Sequence, residues 1–400
     1  MLKKLNEEKG ITIVVAEQKI MLLCEFVKKL IVLEHGTCVH YGEIRSTLTH
    51  QREMEEAGIN CPRVLTLTGK IVEQGLAPAD TTAEDRICLN AEEAAEFVKK
   101  VLPAVTDCRE KTCDVCEANS IIDDTNIQQD NDKTEDVILE FSHVSFSYNE
   151  TANVCDLNVK VHKGDFISII GSNGAGKSTF SKLTNGLLKP STGDVLVVGK
   201  NTKQQKVSAL AKHIGFLFQN PDRQICCSTV REEIAFSLRN NGISEAEIKE
   251  RVSKTLDEFG FDGDTEPFNM SRGQRQRLCL ACLIALNPEI LILDEPTTGL
   301  DYRECMEVME KIRTLNENGT TVIMVCHDME VVLDFAKTII VMNRGEILAQ
   351  DSTRKVLGNN ELLQRARLLP PQIAQVSMLL GPAFDGVFTD DEMIKKIKSM

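Results

Sequence analysis

The sequence predicts an α/β protein in which one complete domain, built on buried parallel strands, follows a partial copy of its own closing part. Three observations predict it. Two apolar runs, "FISII" at residues 166–170 and "ILIL" at 290–293, have the length and composition of strands covered on both faces. The first runs into a glycine-rich turn and then a helical pattern, the strand–loop–helix order of an α/β unit. A stretch near the start also matches one near the end at a fixed offset, the mark of a duplicated unit.

Composition narrows the classes. Four hundred residues suffice for two or three domains. The formal charge of −14 argues against a nucleic-acid binder, which carries a basic face. With no Trp and 3 Tyr, a surface of stacked aromatics has little to build on. The 14 cysteines are scattered along a long chain with no signal-peptide pattern, which points to reduced thiols in a cytosolic protein. No run approaches the ~20 apolar residues of a membrane span; the best early candidate is broken by Glu25, Lys28 and Lys29.

The duplicated stretch begins at "TIVVAEQKIM", residues 12–21, which reads as a strand entering a helix. Moved by about 309 positions it lies on "TVIMVCHDMEVVL" without a gap for some fifty residues. Thr12 falls on Thr321, Phe26 on Phe335, Lys28 on Lys337 and Ile31-Val32 on Ile340-Val341. Gly36 falls on Gly345, Arg45 on Arg354, Leu48 on Leu357, Ala57 on Ala366 and Pro62 on Pro371. Matched Gly and Pro positions punctuate turns, so the likeness exceeds what any two β-α-β segments share.

The complete copy starts near Val137. "GSNGAGKST", comprising Gly171, Ser172, Asn173, Gly174, Ala175, Gly176, Lys177, Ser178 and Thr179, fits G-x-x-x-x-G-K-[ST] between a strand and a helix. Its glycines let main-chain N–H groups turn toward a phosphate chain, and the helix N-terminus adds partial positive charge. Lys177 is expected on the β and γ phosphates and Ser178 on Mg²⁺. The metal's carboxylate belongs at the C-terminal end of a second buried strand, and "ILILDE" supplies it. Side chains alternate along a strand, so Asp294 suits the metal shell and Glu295 suits the base that polarises water. The competing reading is a solvated pair of loop acids.

"MSRGQRQRL" at residues 270–278 resembles the signature motif of ABC-type ATPases. "FLFQNPDRQ" around Gln219, "TGLD" ending at Asp301 and "VCHD" containing His327 accompany it in the order and spacing of an ABC nucleotide-binding domain. The resemblance implies a P-loop ABC fold, with a RecA-like core sheet, an antiparallel β subdomain and a helical subdomain. It implies ATP and Mg²⁺ as ligands. It places Tyr148 against adenine, the alternative being a strand tyrosine in the core. Gln219 falls on the Q-loop glutamine, at the metal or water. Ser271 and Gly273 fall on signature positions that contact the γ-phosphate held by a second ATPase domain. Asp301 falls on the D-loop and His327 on the switch histidine. Arg272 departs from the pattern, which has a second glycine there; its side chain either points to solvent or adds charge near the γ-phosphate.

In the early copy Gln18 takes the place of His327, and the P-loop, signature and carboxylate strand have no counterpart before it. The favoured reading is a truncated first domain, the other a structural appendage. Expected boundaries are 1–105 for that fragment, 106–136 for an acidic flexible linker, 137–350 for the complete domain and 351–400 for a C-terminal extension. Both copies continue into similar tails, "QREMEEAGINCPRV" and "LLQRARLLPPQI", each leading to a short amphipathic helix, "NAEEAAEFVKKVL" and "TDDEMIKKIKSM". These tails, with "QNPDRQ", resemble the ATPases of energy-coupling-factor importers of vitamins, cobalt or nickel. That resemblance implies a transmembrane coupling subunit, a substrate-binding membrane subunit, a homo- or heterodimeric second ATPase domain and a peripheral place on the cytoplasmic face of the cell membrane. By it "STVREEIAFSL" helps form the groove for the coupling helices, unless it is an ordinary solvated helix. Cys108, Cys113 and Cys116 include a CxxC pair, but with no second pair elsewhere exposed reduced thiols are favoured over a metal site. The expected activity is transport-coupled ATP hydrolysis, against an ABC ATPase of soluble function or a nucleotide-binding module without turnover.

Overall fold

The computed structural model describes residues 2–17, 19–24, 26–82, 84–111, 136–148 and 152–400. Gln18, Cys113 and Cys116 lie outside them, and so does the side chain of Cys108. The chain divides into two compact units: residues 1–127, 301–304 and 370–400 in one, 128–300 and 305–369 in the other.

The early stretch forms α1 (Leu2–Lys9), α2 (Ile20–Leu23), the hairpin β1 (Lys29–Glu34) and β2 (Thr37–Glu43), then α3 (Ile44–Leu48), α4 (Gln51–Glu56), α5 (Arg63–Glu73) and α6 (Ala91–Lys111). The linker was expected to start at residue 106, where α6 still continues. The second unit opens with β3 (Val137–Ser147), β4 (Ala152–His162), β5 (Phe166–Gly171), α7 (Lys177–Thr184), β6 (Thr192–Val197), β7 (Lys200–Asn201), α8 (Val207–Leu210) and β8 (Ile214–Leu217). It goes on through α9 (Val230–Asn240), α10 (Glu245–Phe259), α11 (Arg272–Leu286), β9 (Ile290–Asp294), α12 (Tyr302–Glu317), β10 (Thr321–Val325) and α13 (Met329–Phe335). It closes with β11 (Thr338–Asn343), β12 (Glu346–Ser352), α14 (Thr353–Leu357) and α15 (Asn360–Ala366). The last two helices, α16 (Gln372–Leu380) and α17 (Asp390–Ser399), belong to the first unit.

The α/β expectation holds. In the second unit β12-β11-β5-β10-β9-β8 form one sheet, parallel except for the edge strand β12, and β4-β3-β6-β7 form a separate antiparallel sheet. Strands β5, β9 and β10 are buried at every position, as strands covered on both faces must be. One core joins Ile167 and Ile169 of β5, Ile290 and Ile292 of β9 and Ile323 and Val325 of β10 to Phe141 and Val159 of the antiparallel sheet. Helices α9, α10 and α11 pack on one another as a helical layer.

The duplication recurs in detail. The β1–β2 ladder slips between Val32 and Leu33, and the β11–β12 ladder slips between Val341 and Met342. The hairpin turns use left-handed backbone at His35-Gly36 and at Arg344-Gly345. Helices start at equivalent positions: Ile20 and Met329, Ile44 and Thr353, Gln51 and Asn360, Arg63 and Gln372.

One expectation fails. Residues 12–15 form no strand, although the equivalent β10 does. A strand is held by its ladder partners, and β10 lies between β5 and β9. The early segment has no such neighbours among the described residues, and Val14 is 88% exposed. For the same reason Ile31 is 59% exposed where its counterpart Ile340 is 0% exposed.

In the first unit α16 packs on α6 and α17 on α5. Each tail's first helix therefore meets the other tail's second helix, the reciprocal pairing of a two-fold interface. Val64, Leu67 and Ile71 of α5, Val98 and Val101 of α6, Ile373 and Val376 of α16, and Met393 and Ile397 of α17 share one core. A second core, with Leu30, Val32, Leu48 and Met54, fixes the hairpin to α3 and α4.

Candidate functional site

The site lies at the C-terminal ends of the central parallel strands, where open α/β sheets bind ligands. The turn after β5 delivers Asn173 to Thr179 into a cleft of about 300 Å³. Gln219, which follows β8, Glu295, which follows β9, and His327, which follows β10, line the same cleft. The sheet order brings them together, because β10 sits between β5 and β9 and β8 is the next strand beyond β9.

The turn is shaped by close approach. A Cβ on Gly171 would meet the Met342 carbonyl oxygen at 2.2 Å, and one on Gly176, at φ 102, would meet Val154 Cγ1 at 2.8 Å. Gly176 caps α7 in the left-handed region, where side chains are strained. Lys177 is buried, and its Nζ donates to the carbonyls of Gly171 at 2.8 Å and Ser172 at 3.0 Å. Burial holds its pKa below the usual lysine value, while Glu295 and Asp294 oppose that shift.

Asp294 is 7% exposed. Burial pushes its carboxyl up, and Glu295 pushes in the same direction; the Ser178 hydroxyl bond, Lys182 and Lys177 work against them. A buried carboxylate beside a hydroxyl is a hard-oxygen donor pair, the chemistry Mg²⁺ selects. These residues fit the ion, and Ser178 and Asp294 are the ones that would hold it.

Glu295 stands differently, because it lies one residue beyond the end of β9 and does not continue the strand's alternation. Its backbone is left-handed, at φ 55. Its Oε1 lies 2.8 Å from His327 Nε2. Its Oε2 accepts from Gln219 Nε2 at 2.9 Å and from the Thr298 hydroxyl at 3.3 Å. The carboxylate is thus gripped from both sides within the cleft.

Tyr148 is 52% exposed and does not fill the core. Its ring stands edge-on to Phe146 at 4.8 Å, and its N–H donates to Asn153 Oδ1 at 2.9 Å. Asn153 lines the cleft, so Tyr148 is tied to the cleft wall. Sequence reading did not find Asn153, which belongs to no motif, or single out Val325, the first residue of "VCHD", which also lines the cleft.

The signature residues do not line the cleft. Ser271 is the exposed N-cap of α11 in a capping box with Gln274: its Oγ accepts from Gln274 N at 3.2 Å and its N donates to Gln274 Oε1 at 2.9 Å. Gly273 is buried in the first turn of that helix. Arg272 is exposed, and its aliphatic stem passes beside Gly299. Asp301 opens α12, accepting from Glu304 N at 2.8 Å, and groups with the first unit. The helix read as a coupling element is α9, capped by Thr229, with Phe236 exposed on it. Among the described residues no helix is long and apolar enough to cross a membrane.

A family model described as "ABC transporter" matches residues 154–298. The chain is 34% identical over 404 residues to a putative ABC transporter ATP-binding protein of Caldanaerobacter subterraneus subsp. tengcongensis, covering 99% of this chain and 66% of that protein. It thus spans just under two thirds of that relative's length. It is 36% identical over 244 residues to the energy-coupling factor transporter ATP-binding protein EcfA of Methanothermobacter thermautotrophicus, covering 60% of this chain and 78% of that one. Among solved structures, cbiO1 from Clostridium perfringens, part of the ABC transporter complex cbiONQ, is 31% identical; the match covers 61% of this chain and 100% of that one, with a TM-score of 0.52.

Proposed function

Because this chain belongs to the ABC transporter ATP-binding family, we propose that it binds and hydrolyses ATP to drive a membrane importer of the energy-coupling-factor type. The observation that carries the catalytic part is the grip of His327 and Gln219 on Glu295 inside the P-loop cleft.

Phosphoryl transfer asks the protein for positioning and charge stabilisation. The N–H groups of the 171–179 turn and Lys177 bind the triphosphate, with Lys177 exchanging two carbonyl partners for phosphate oxygens. Ser178, Asp294 and Gln219 would hold Mg²⁺, which would neutralise charge on the phosphate oxygens. Glu295 accepts a hydrogen bond from the attacking water and orients it. His327 and Gln219 keep that carboxylate aimed. Tyr148 offers its exposed ring to the adenine. Ser271 and Gly273, exposed or outside the cleft here, serve the nucleotide of a second ATPase domain, and Asp301 lies at the junction between the two. ATP-driven closure and post-hydrolysis opening of that pair is the switch passed to the membrane subunits.

The importer type rests on the resemblance of the paired tails and on the similarity to EcfA and cbiO1. On that reading the chain works at the cytoplasmic face of a membrane, with a transmembrane coupling subunit seated against α9. The test is phosphate release by the full chain at increasing protein concentration, with and without Mg²⁺. Turnover that needs Mg²⁺ and rises steeply with concentration is expected. MgATP binding without turnover at any concentration overturns hydrolysis in favour of a binding module.

A further inference from the structure

The first unit carries a cluster that nothing in nucleotide chemistry requires. On β2, His40 points its Nε2 at Glu53 Oε2, 2.9 Å away. From the start of α4, His50 points its Nδ1 at Glu53 Oε1, 3.2 Å away. The two imidazoles stack with centroids 4.4 Å apart, and one ligand atom from each of the three residues falls within 4.8 Å of the others. His40 is half-buried, while His50 and Glu53 are exposed. An ionised carboxylate only accepts, so each ring nitrogen directs its proton at the same group.

The repeat separates what the scaffold needs from what it does not. Val32 pairs with His40 as Val341 pairs with Ala349. His50 corresponds to Asn359 and Glu53 to Leu362. The late copy thus builds the same strand and helix start with none of the three. There Asn359 Oδ1 accepts from Leu362 N at 3.0 Å, an ordinary N-cap. His50 holds the cap position of α4 without making a cap bond. The early copy has given up a favourable cap for an imidazole aimed at a carboxylate and a second imidazole. Local rules are broken in this way where a site outweighs stability.

We propose that His40, His50 and Glu53 form a binding site for a divalent first-row transition ion of the zinc type, pinning β2 to α4. Two imidazole nitrogens and one carboxylate oxygen are the donor set that such ions take, with water completing the shell. The ion would bind each ring through the nitrogen that now faces Glu53, whose proton passes to the other ring nitrogen of a neutral imidazole or, from an imidazolium, to water. The proposal is independent of the nucleotide reading.

The experiment uses the full chain under reducing conditions, titrated with ZnCl₂ and, for spectroscopy, CoCl₂. Because the chain's free thiols also bind these ions, the reading is the difference between wild type and two variants. His50→Asn installs the late copy's cap residue and is expected to fold with a metal-free Tm equal to or above wild type. Glu53→Gln keeps both imidazoles. Wild type should take up one more equivalent of Zn²⁺ than His50→Asn, and two sets of imidazole ¹⁵N resonances should move as it does so. Each variant should weaken that equivalent by at least about tenfold. The proposal is overturned if either variant binds Zn²⁺ with wild-type stoichiometry and affinity, or if no histidine resonance responds.

Discussion

His327 Nε2 stands 2.8 Å from Glu295 Oε1, while the other oxygen of the same carboxylate takes a 2.9 Å bond from Gln219 Nε2. Two side chains that follow different strands therefore share one acid. The acid itself sits on left-handed backbone, an arrangement that costs on the order of 1–3 kcal/mol for a residue with a side chain. Strain of this kind persists where the surroundings hold it, and here the surroundings are the cleft.

Replacing Glu295 by Gln keeps size and hydrogen bonding but removes the basic oxygen. Turnover should fall by ~10²–10⁴-fold, with MgATP affinity changed far less. Single-turnover phosphate release alongside equilibrium nucleotide binding separates the two quantities. Parallel losses in both would mean that Glu295 holds ligand and does not direct water.

The turn makes its own prediction. Gly176→Ala places a Cβ 2.8 Å from Val154 Cγ1 and 3.2 Å from the Asn153 carbonyl, at φ 102. Strain of this order costs ~1–3 kcal/mol, and relieving it moves the N–H groups ahead of α7. Denaturant unfolding should report that loss, and nucleotide titration should report weakened MgATP binding. Wild-type affinity in a destabilised variant would separate the turn's shape from its use.

What was legible in the sequence was chiefly what strand ends dictate. Asp294 and Glu295 come at the end of one apolar run and the glycine-rich turn with Lys177 at the end of another, so their approach at one end of a parallel sheet was legible from pattern, whereas His327 was placed by the resemblance to ABC-type ATPases. Asn153 was not legible, because it reaches the cleft from β4, in the antiparallel sheet, and carries no motif. The strand expected at residues 12–15 failed for a different reason: its pattern is that of β10, but a ladder depends on neighbours that no local pattern encodes. The repeat was visible in matched glycines and prolines. The crossed pairing of α5 with α17 and α6 with α16 was not, since it depends on which apolar faces meet.

That crossed pairing sets burial against charge. Met393 of α17 is fully buried in the shared core, whereas Lys70 of α5 reaches Asp390 at 2.6 Å and Asp391 at 2.7 Å near the surface. Met393→Ala should cost ~2–5 kcal/mol and Lys70→Met less than ~1 kcal/mol, the range of exposed ion pairs. Chemical denaturation of the full chain, followed by a probe on α17, measures both. A larger loss for Lys70→Met would show that the ion pairs hold the tail.

Asp294 gives a prediction whose sign depends on pH. Burial and the adjoining Glu295 raise its carboxyl above 3.8, the ordinary aspartate value, against Ser178, Lys182 and Lys177. A carboxyl raised on folding binds its proton more tightly in the native state than in the unfolded one. Its contribution to stability therefore falls as pH rises from 3.8 through the raised value, and the penalty is complete above it. Asp294→Asn removes the penalty, so at neutral pH with chelator present the variant should melt above wild type, and the gap should close as pH falls toward 3.8. Mg²⁺ should reverse the order, because an ion held by the native state stabilises by mass action only the chain that can hold it. Melting curves in chelator and in Mg²⁺ with a non-hydrolysable ATP analogue supply the comparison. If Mg²⁺ raised both melting temperatures equally, Asp294 would not be its ligand.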